Sequence, residues 1–414
     1  MKNIVGSPVE DGDFFGREAE LAYFVDLLRQ GNDILLLGPR RIGKTSIGRA
    51  VMRTLASRDW QVIELNVATC LDETGFVRKL GQAIREHAQS DAGKLVESVR
   101  EGVSGWLHRI EGIEASIPGI AKGGLKLRPA EVLDWTEPAT GLLQLLAGQQ
   151  RRWLIYIDEL PIFLHTLIRS DATNGVARVR RFLDWFRNDV RALPGGQELR
   201  WFVTGSVGLD TLVQRHGMAD TINSLKHEYL SPFDRLRAQA MLRALAGTHD
   251  LPWDEQAAER MIEAVHWLQP YYLQLLFSGM RQLGMHSPPA DATALLPLIE
   301  QAAARLTSPE VDNDFQHWEQ RLTLQLDEPD AGHARALLTL AAQSRDGARA
   351  QSLLVEIQGR LPNLDTDRQR QKFYELRDIL LRDGYWQANG EDAARRYRFN
   401  LEPLRCWWAR RQAL

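Results

Sequence analysis

The sequence predicts an α/β chain: a parallel five-stranded sheet with helices on both faces, then an α-helical lid, then a winged helix-turn-helix region. Three observations carry this reading. Up to Pro232, short apolar runs alternate with segments of helical period, the pattern of parallel strands joined by crossover helices. From Phe233 to Leu326 the period is helical alone. Residues 331–414 read as three helices followed by two strands flanking a turn. The predicted domains are therefore 1–232, 233–326 and 331–414.

Each element has its own warrant. Ile34 to Leu37 is a short apolar run suited to a buried strand. Thr45 to Leu55 carries Ile47, Val51, Thr54 and Leu55 at helical spacing. Val62, Ile63, Leu65 and Val67 mark a second strand over Gln61 to Val67. Residues 71–89 form a helix with Phe76, Leu80 and Ile84 on one face. Ser116 to Arg128 reads as a small β-excursion or an exposed loop. Trp153 to Ile157 is a strongly apolar third strand. Arg178 to Arg191 is a helix bearing Phe182, Trp185 and Phe186. Pro194-Gly195-Gly196 turns the chain into a fourth strand, Arg200 to Thr204. His227 to Leu230 is the fifth, closed by Ser231-Pro232. Helices then cover Arg235 to Thr248, Glu255 to Trp267 and Tyr271 to Leu283. Asp327 to Gly332 reads as a linker. Asp367 to Leu381 is a helix, and Tyr385 to Gln387 and Arg396 to Phe399 flank a turn region containing Asn389-Gly390.

Composition excludes several classes. With 414 residues, 44% hydrophobic and 25% charged, the chain is a globular protein with sizeable cores. Its formal charge of −3 makes no global case for nucleic acid or membrane. No apolar run approaches the roughly 20 residues of a membrane span. Cys70 and Cys406 are too few and too far apart for a disulfide framework or metal site, which suits a reducing cytoplasm. Charge is uneven, however. Residues 331–414 hold 15 Lys and Arg against 10 Asp and Glu, a net +5 that leaves −8 for the rest. A basic C-terminal region on an acidic body suggests an anionic partner there.

Gly38-Pro39-Arg40-Arg41-Ile42-Gly43-Lys44-Thr45 fits G-x-x-x-x-G-K-[ST] between a strand and a helix. Glycines let backbone N–H groups turn inward around phosphate oxygens, and the helix N-terminus adds partial positive charge. Lys44 reaches the β- and γ-phosphates; the Thr45 hydroxyl ligates Mg²⁺. Arg40 and Arg41 either touch phosphate or pair with acidic neighbours. Hydrolysis also needs a metal anchor and a group that orients water. Asp158 and Glu159 follow the third strand. Asp158 suits the metal, directly or through water, and Glu159 polarises the attacking water. The fourth strand ends Val203-Thr204-Gly205-Ser206, and a polar side chain there can sense the γ-phosphate or position water. Ser206 is favoured, with Thr204 its competitor.

The chain resembles the AAA+/STAND group of P-loop ATPases, in particular the archaeal-type ATPase family, which also occurs in bacteria. The resemblance rests on Phe14 to Leu21, Gly38 to Thr45, Asp158-Glu159, Thr204-Gly205-Ser206, Tyr229 to Phe233 and Gln269 to Tyr272, and covers residues 13–285. It extends more loosely to Tyr397-Arg398-Phe399 and Pro403 to Trp408. It implies an ASCE/AAA+ type core that binds ATP between core and lid. Phe15 and Gly16 would border the adenine, Pro270 and Tyr271 would close over it, and the loop through Ser46 would hold the phosphates. Two departures stand out. The lid motif of similar proteins is Gly-x-Pro, whereas this chain has Leu268-Gln269-Pro270. Relatives often show a Gly-Arg pair before the fifth strand, whereas Asp220 to Lys226 contains no arginine. Arg215 or Lys226 could substitute, or serve as surface charge. Without an arginine finger, which supplies about 10³–10⁵ in rate elsewhere, hydrolysis should be slow until a partner or a second copy completes the site.

The predicted C-terminal helix carries Arg368, Arg370, Lys372 and Arg377 opposite Phe373, Leu376, Ile379 and Leu380. That pattern suits phosphate contact, with Arg395, Arg396 and Arg398 adding contacts from the hairpin. Interleaved Asp367, Glu375, Asp378 and Asp383 favour protein or intramolecular docking instead. Trp407 and Trp408 read as core. The expected function is an ATP-hydrolysing switch; the alternatives are a nucleotide-dependent DNA-binding regulator and a scaffold subunit of a multi-protein system, such as a defence system. Homo-oligomerisation is compatible with each.

Overall fold

A computed structural model of the chain describes residues 1–9, 11–90, 105, 134–205, 208–286, 288–308, 313–391 and 394–412. The segment 116–128, read from sequence as a β-excursion or loop, lies outside the described residues.

Ala19–Leu37 and Ile47–Tyr229 form one compact unit. Its chain order is α1 (Glu18–Arg29), β1 (Ile34–Leu37), α2 (Lys44–Ala56), β2 (Gln61–Asn66), α3 (Glu73–Ser90), α4 (Thr136–Ala147), β3 (Trp153–Asp158), α5 (Leu160–Ser170), α6 (Gly175–Asp184), β4 (Leu199–Thr204), α7 (Leu209–Arg215) and β5 (Lys226–Tyr229). The five strands are parallel in the order β2-β3-β4-β1-β5. All six residues of β3 are buried, as a central parallel strand covered on both faces requires. β5 is largely exposed at the sheet edge. Phe76, Phe163, Phe182, Trp135 and Trp185 pack together on one face, with Phe76 and Phe182 edge to face at 5.0 Å.

Met1–Glu18, Gly38–Ser46 and Leu230–Leu414 form the other unit. Five helices come first: α8 (Arg235–Thr248), α9 (Glu255–Val265), α10 (Pro270–Gly284), α11 (Leu295–Leu306) and α12 (Asn313–Gln325). Then come α13 (Asp330–Ala342), β6 (Ala348–Arg349), α14 (Ala350–Arg360), α15 (Thr366–Arg382), β7 (Trp386–Asn389), β8 (Arg396–Phe399) and α16 (Glu402–Gln412). The last three strands make an antiparallel sheet in the order β6-β8-β7. Asp234, Asp254 and Asp365 each accept a backbone N–H at the start of a helix, at 2.8, 2.8 and 2.9 Å, so local chemistry sets where α8, α9 and α15 begin. One aromatic-rich core, including Tyr272, Trp318, Tyr385, Trp407 and Trp408, runs through these helices and the small sheet.

Some boundaries differ from the sequence reading. The expected linker is shorter, because α13 already starts at Asp330: Ala331, Ala334, Leu337, Leu338 and Ala341 form a buried helical stripe that draws the start forward. The helix read to Arg191 is α6 continued by a π-helical turn over Trp185–Asp189. Helix α9 stops at Val265, where His266 adopts φ 64°. The two-residue β6 has no period long enough to be read in sequence. Among the described residues no helix is long and apolar enough to cross a membrane. Both cysteines are free.

Candidate functional site

The predicted phosphate loop leaves β1, whose first three residues are fully buried. Gly38 follows at φ 145°, and a Cβ there would lie 2.9 Å from the Leu230 carbonyl oxygen, so only glycine fits. Arg41 is also left-handed, at φ 67°. Lys44 opens α2 and folds back into the loop. Its ammonium donates to the carbonyls of Gly38 at 2.7 Å and Pro39 at 2.8 Å, with the side chain buried. A lysine amine thus already sits within the ring of backbone that would hold phosphate. Ser46 accepts the Val9 N–H at 3.1 Å through its hydroxyl. Thr45 is half-buried beside it.

Residues read as flanking the nucleotide base lie in the same compact unit as this loop. The Arg41 guanidinium stacks 3.9 Å above the Tyr271 ring centroid. Arg17, buried, donates to the Ser231 carbonyl at 2.6 Å and stacks on Phe233 at 4.6 Å. Phe15 packs on the helical core, and Gly16 lies against Phe233. Pro270 is half-buried as the first residue of α10, where its missing N–H leaves no bond unmade. At the unusual Leu268, the side chain packs on the helical core and the carbonyl accepts the Phe233 N–H at 3.0 Å.

The acidic strand end belongs to the sheet unit. Asp158 is buried, and the Thr204 hydroxyl donates to its Oδ1 at 2.5 Å. The Tyr156 hydroxyl lies 3.2 Å from that same Thr204 oxygen. Since Thr204 spends its one proton on Asp158, Tyr156 donates in turn. The register explains the meeting. β4 lies between β1 and β3, with Thr204 opposite Leu36 and Val203 opposite Ile157. Glu159 is half-buried and left-handed, at φ 64° and ψ 32°. Its carbonyl accepts from Ile162 at 3.1 Å, so the start of α5 holds a conformation that costs about 1 kcal/mol. A buried carboxylate steadied by a hydroxyl presents oxygen donors, and oxygen donors suit Mg²⁺.

Sequence reasoning favoured Ser206 over Thr204 as the polar strand-end residue. Ser206 lies outside the described residues, while Thr204 is engaged with Asp158. Two residues were missed. Tyr156 supports Thr204, and Gly48 makes room for Tyr156: a Cβ on Gly48 would lie 2.6 Å from the tyrosine ring. The available signal was a glycine inside the helix after the loop together with a bulky polar-tipped residue in an otherwise apolar strand. As to a finger, Asp220 is gripped by Arg180 at 3.0 Å and Arg187 at 3.3 Å. Lys226 sits on the Tyr23 hydroxyl at 3.2 Å and Glu228 at 3.6 Å. Arg215 is exposed.

Residues 13–185 match the family described as the AAA ATPase domain. Two solved structures are similar along almost the whole chain. A Walker-type ATPase of Pyrococcus abyssi superposes with a TM-score of 0.61 at 16% identity, covering 99% of this chain and 100% of that one. The ORC2 protein of Aeropyrum pernix, in ADPNP and ADP complexes, gives 0.54 at 12% identity, covering 98% of each. No curated protein matches the sequence. Residues 13–185 are thus similar to the AAA ATPase domain, and the chain has a P-loop NTPase fold.

Proposed function

We propose that this chain binds ATP with Mg²⁺ and hydrolyses it as a slow, STAND-type switch whose nucleotide state governs the C-terminal residues 331–414. The observation that carries the reading is the buried Asp158 carboxylate, held by Thr204 on the strand beside the one that feeds the phosphate loop. Adenine is supported by the ADPNP and ADP complexes of the ORC2 protein. Lys44 exchanges the Gly38 and Pro39 carbonyls for phosphate oxygens. Thr45 and Asp158 are the metal ligands by their places in the two motifs. When bound, Mg²⁺ neutralises charge on the phosphate oxygens. Thr204 positions Asp158, which leaves Ser206 to sense the γ-phosphate or the water. Glu159 takes the proton as water adds to the γ-phosphorus and the bond to the β-phosphate oxygen breaks. With no arginine in residues 220–226, turnover waits on a protein partner or a second copy. The test is Glu159→Gln. ATP binding should persist while turnover falls by about 10²–10⁴-fold; unchanged turnover removes Glu159 from this role.

For residues 331–414 we read a winged helix that docks protein, ahead of one that binds DNA. Each basic side chain of α15 named above has an acidic neighbour. Arg368 lies 3.3 Å from Asp365, Arg370 3.9 Å from Asp367, Lys372 3.0 Å from Glu375, and Arg377 2.7 Å from Asp378. Such compensation weakens the field that non-specific phosphate binding needs.

A further inference from the structure

A continuous run of aromatic contacts leads from the phosphate loop into the C-terminal part of the chain, all of it within one compact unit. It begins where the Arg41 guanidinium covers Tyr271 at 3.9 Å. Tyr271 meets Tyr272 edge to face, with ring centroids 5.1 Å apart and planes at 89°. The Tyr272 hydroxyl accepts from the Trp318 indole N–H at 2.7 Å. Trp318 meets Tyr385 edge to face at 5.1 Å, and the Tyr385 hydroxyl donates to the Trp318 carbonyl at 2.6 Å. Tyr385 follows Asp383, which lies 3.9 Å from Arg321, and the Arg321 guanidinium lies over Trp318 at 5.6 Å. Tyr272, Trp318 and Tyr385 are fully buried. Four elements are thereby tied together: the phosphate loop, α10, α12 and the turn from α15 into β7.

The chemistry of the run suits transmission. Rigid rings packed at interior density cannot shift singly, so a displacement at one is passed to its neighbours. The polar links are buried, and a buried hydrogen bond left without its partner is costly, which favours two discrete arrangements over gradual slippage. Burial pushes the Tyr385 phenol well above its ordinary value, so it remains a neutral donor. At the near end, a guanidinium on a tyrosine face sits in a loop built for phosphate, and phosphate is the stronger partner for it.

We infer that Trp318 is a positioning residue. Through Tyr272 and Tyr271 it couples occupancy of the phosphate loop to the turn at residues 383–385, with Arg41 as the sensing end. This rests on the ATP-binding reading above and adds the route by which that site reaches residues 331–414. Coupling is reciprocal, so a break in the run should alter both the far turn and nucleotide affinity.

The test uses the full chain with MgADP and with Mg²⁺ and ADPNP. Affinity is measured by calorimetry, and hydrogen exchange is followed at residues 383–387. In the unmodified chain, saturating nucleotide should change exchange there by about fivefold or more. Tyr272→Phe keeps the ring and removes only the oxygen that accepts from Trp318. At saturation it should lose most of that change, and its affinity should shift by about three- to tenfold. If Tyr272→Phe fails to fold, Arg41→Gln, at a partly exposed loop position, should show the same loss once saturated. Three results overturn the inference: nucleotide binding with no change at 383–387 in the unmodified chain, a full change retained in the variant, or exchange in the variant that is uniformly faster with the nucleotide-dependent difference intact. None of these touches the ATP-binding reading, which fails separately if the unmodified chain does not bind nucleotide.

Discussion

The acidic end of β3 and the basic face of α15 are both clusters of charge in sequence, and the fold treats them in opposite ways. Asp158 is buried, and the Thr204 hydroxyl, itself backed by Tyr156, is aimed at its carboxylate. Arg368 and Arg370 are exposed, and each is matched by an acid three residues earlier on the same helical turn. Removing a carboxylate from water is costly, so such a group persists where it serves chemistry or a firm structural pairing. Surface pairs of the second kind contribute roughly 0–1 kcal/mol and announce nothing by themselves. Burial of charge, rather than density of charge, separates the candidate site from the decorated helix.

Three sets of substitutions and one titration test this contrast between buried and surface charge. The largest effect is expected at Thr204. Thr204→Val keeps the shape and removes the donor to Asp158, so stability should fall by about 1–3 kcal/mol and ATP turnover by about 10-fold or more. Denaturant midpoints and steady-state phosphate release on the same samples measure both. A silent Thr204→Val would mean that the carboxylate needs no such support. Next is Gly48→Ala, whose new Cβ would fall 2.6 Å from Tyr156. Backbone or ring must shift, at a cost of about 1–3 kcal/mol, read as a lowered urea midpoint.

On the other side of the comparison, Arg368→Ala with Arg370→Ala should change stability by less than about 0.5 kcal/mol. Any DNA affinity at low salt should move by no more than about twofold. A tenfold loss with a reduced salt slope would restore the DNA reading. The smallest effect is a pH dependence. His249, His266 and His333 are all held below their ordinary value of 6.5, chiefly by burial; Arg281 adds to this for His249 and Arg345 for His266. The unfolded chain therefore binds more protons than the folded one between the folded values and 6.5. Stability should be full above that range and decline as pH falls through it. Midpoints at pH 7.5 and 5.5 check the sign, and His333→Gln should flatten the slope.

Legibility followed the length and purity of each signal. Strands β1, β3 and β4 were readable because each is a compact apolar run, as in Trp153–Asp158, whereas the polar edge strand β5 was marked mainly by the Ser231-Pro232 that closes it. The loop was readable because its glycines and lysine stand at fixed offsets. Helix α13 was partly hidden, since its small buried alanines give a faint period. Strand β6 has only two residues and exists because β8 pairs with it. In the site, Lys44, Thr45, Asp158 and Glu159 were named from motif alone. The support given by Tyr156 was not, because it depends on which strand lies next to which.

The features legible in the sequence alone are chemical and local: a phosphate loop, paired acids after a buried strand, and a basic but acid-interleaved C-terminal helix. Those features repeat at short spacing, and short spacing is what a linear pattern can express. Which distant groups share one buried space is settled by the fold instead. Thr204 reaches Asp158 across 46 residues, and Trp318 reaches Tyr272 across the same separation. Such meetings follow from strand order and helix packing, where long-range burial outweighs local preference and pairs side chains that no interval in the chain connects.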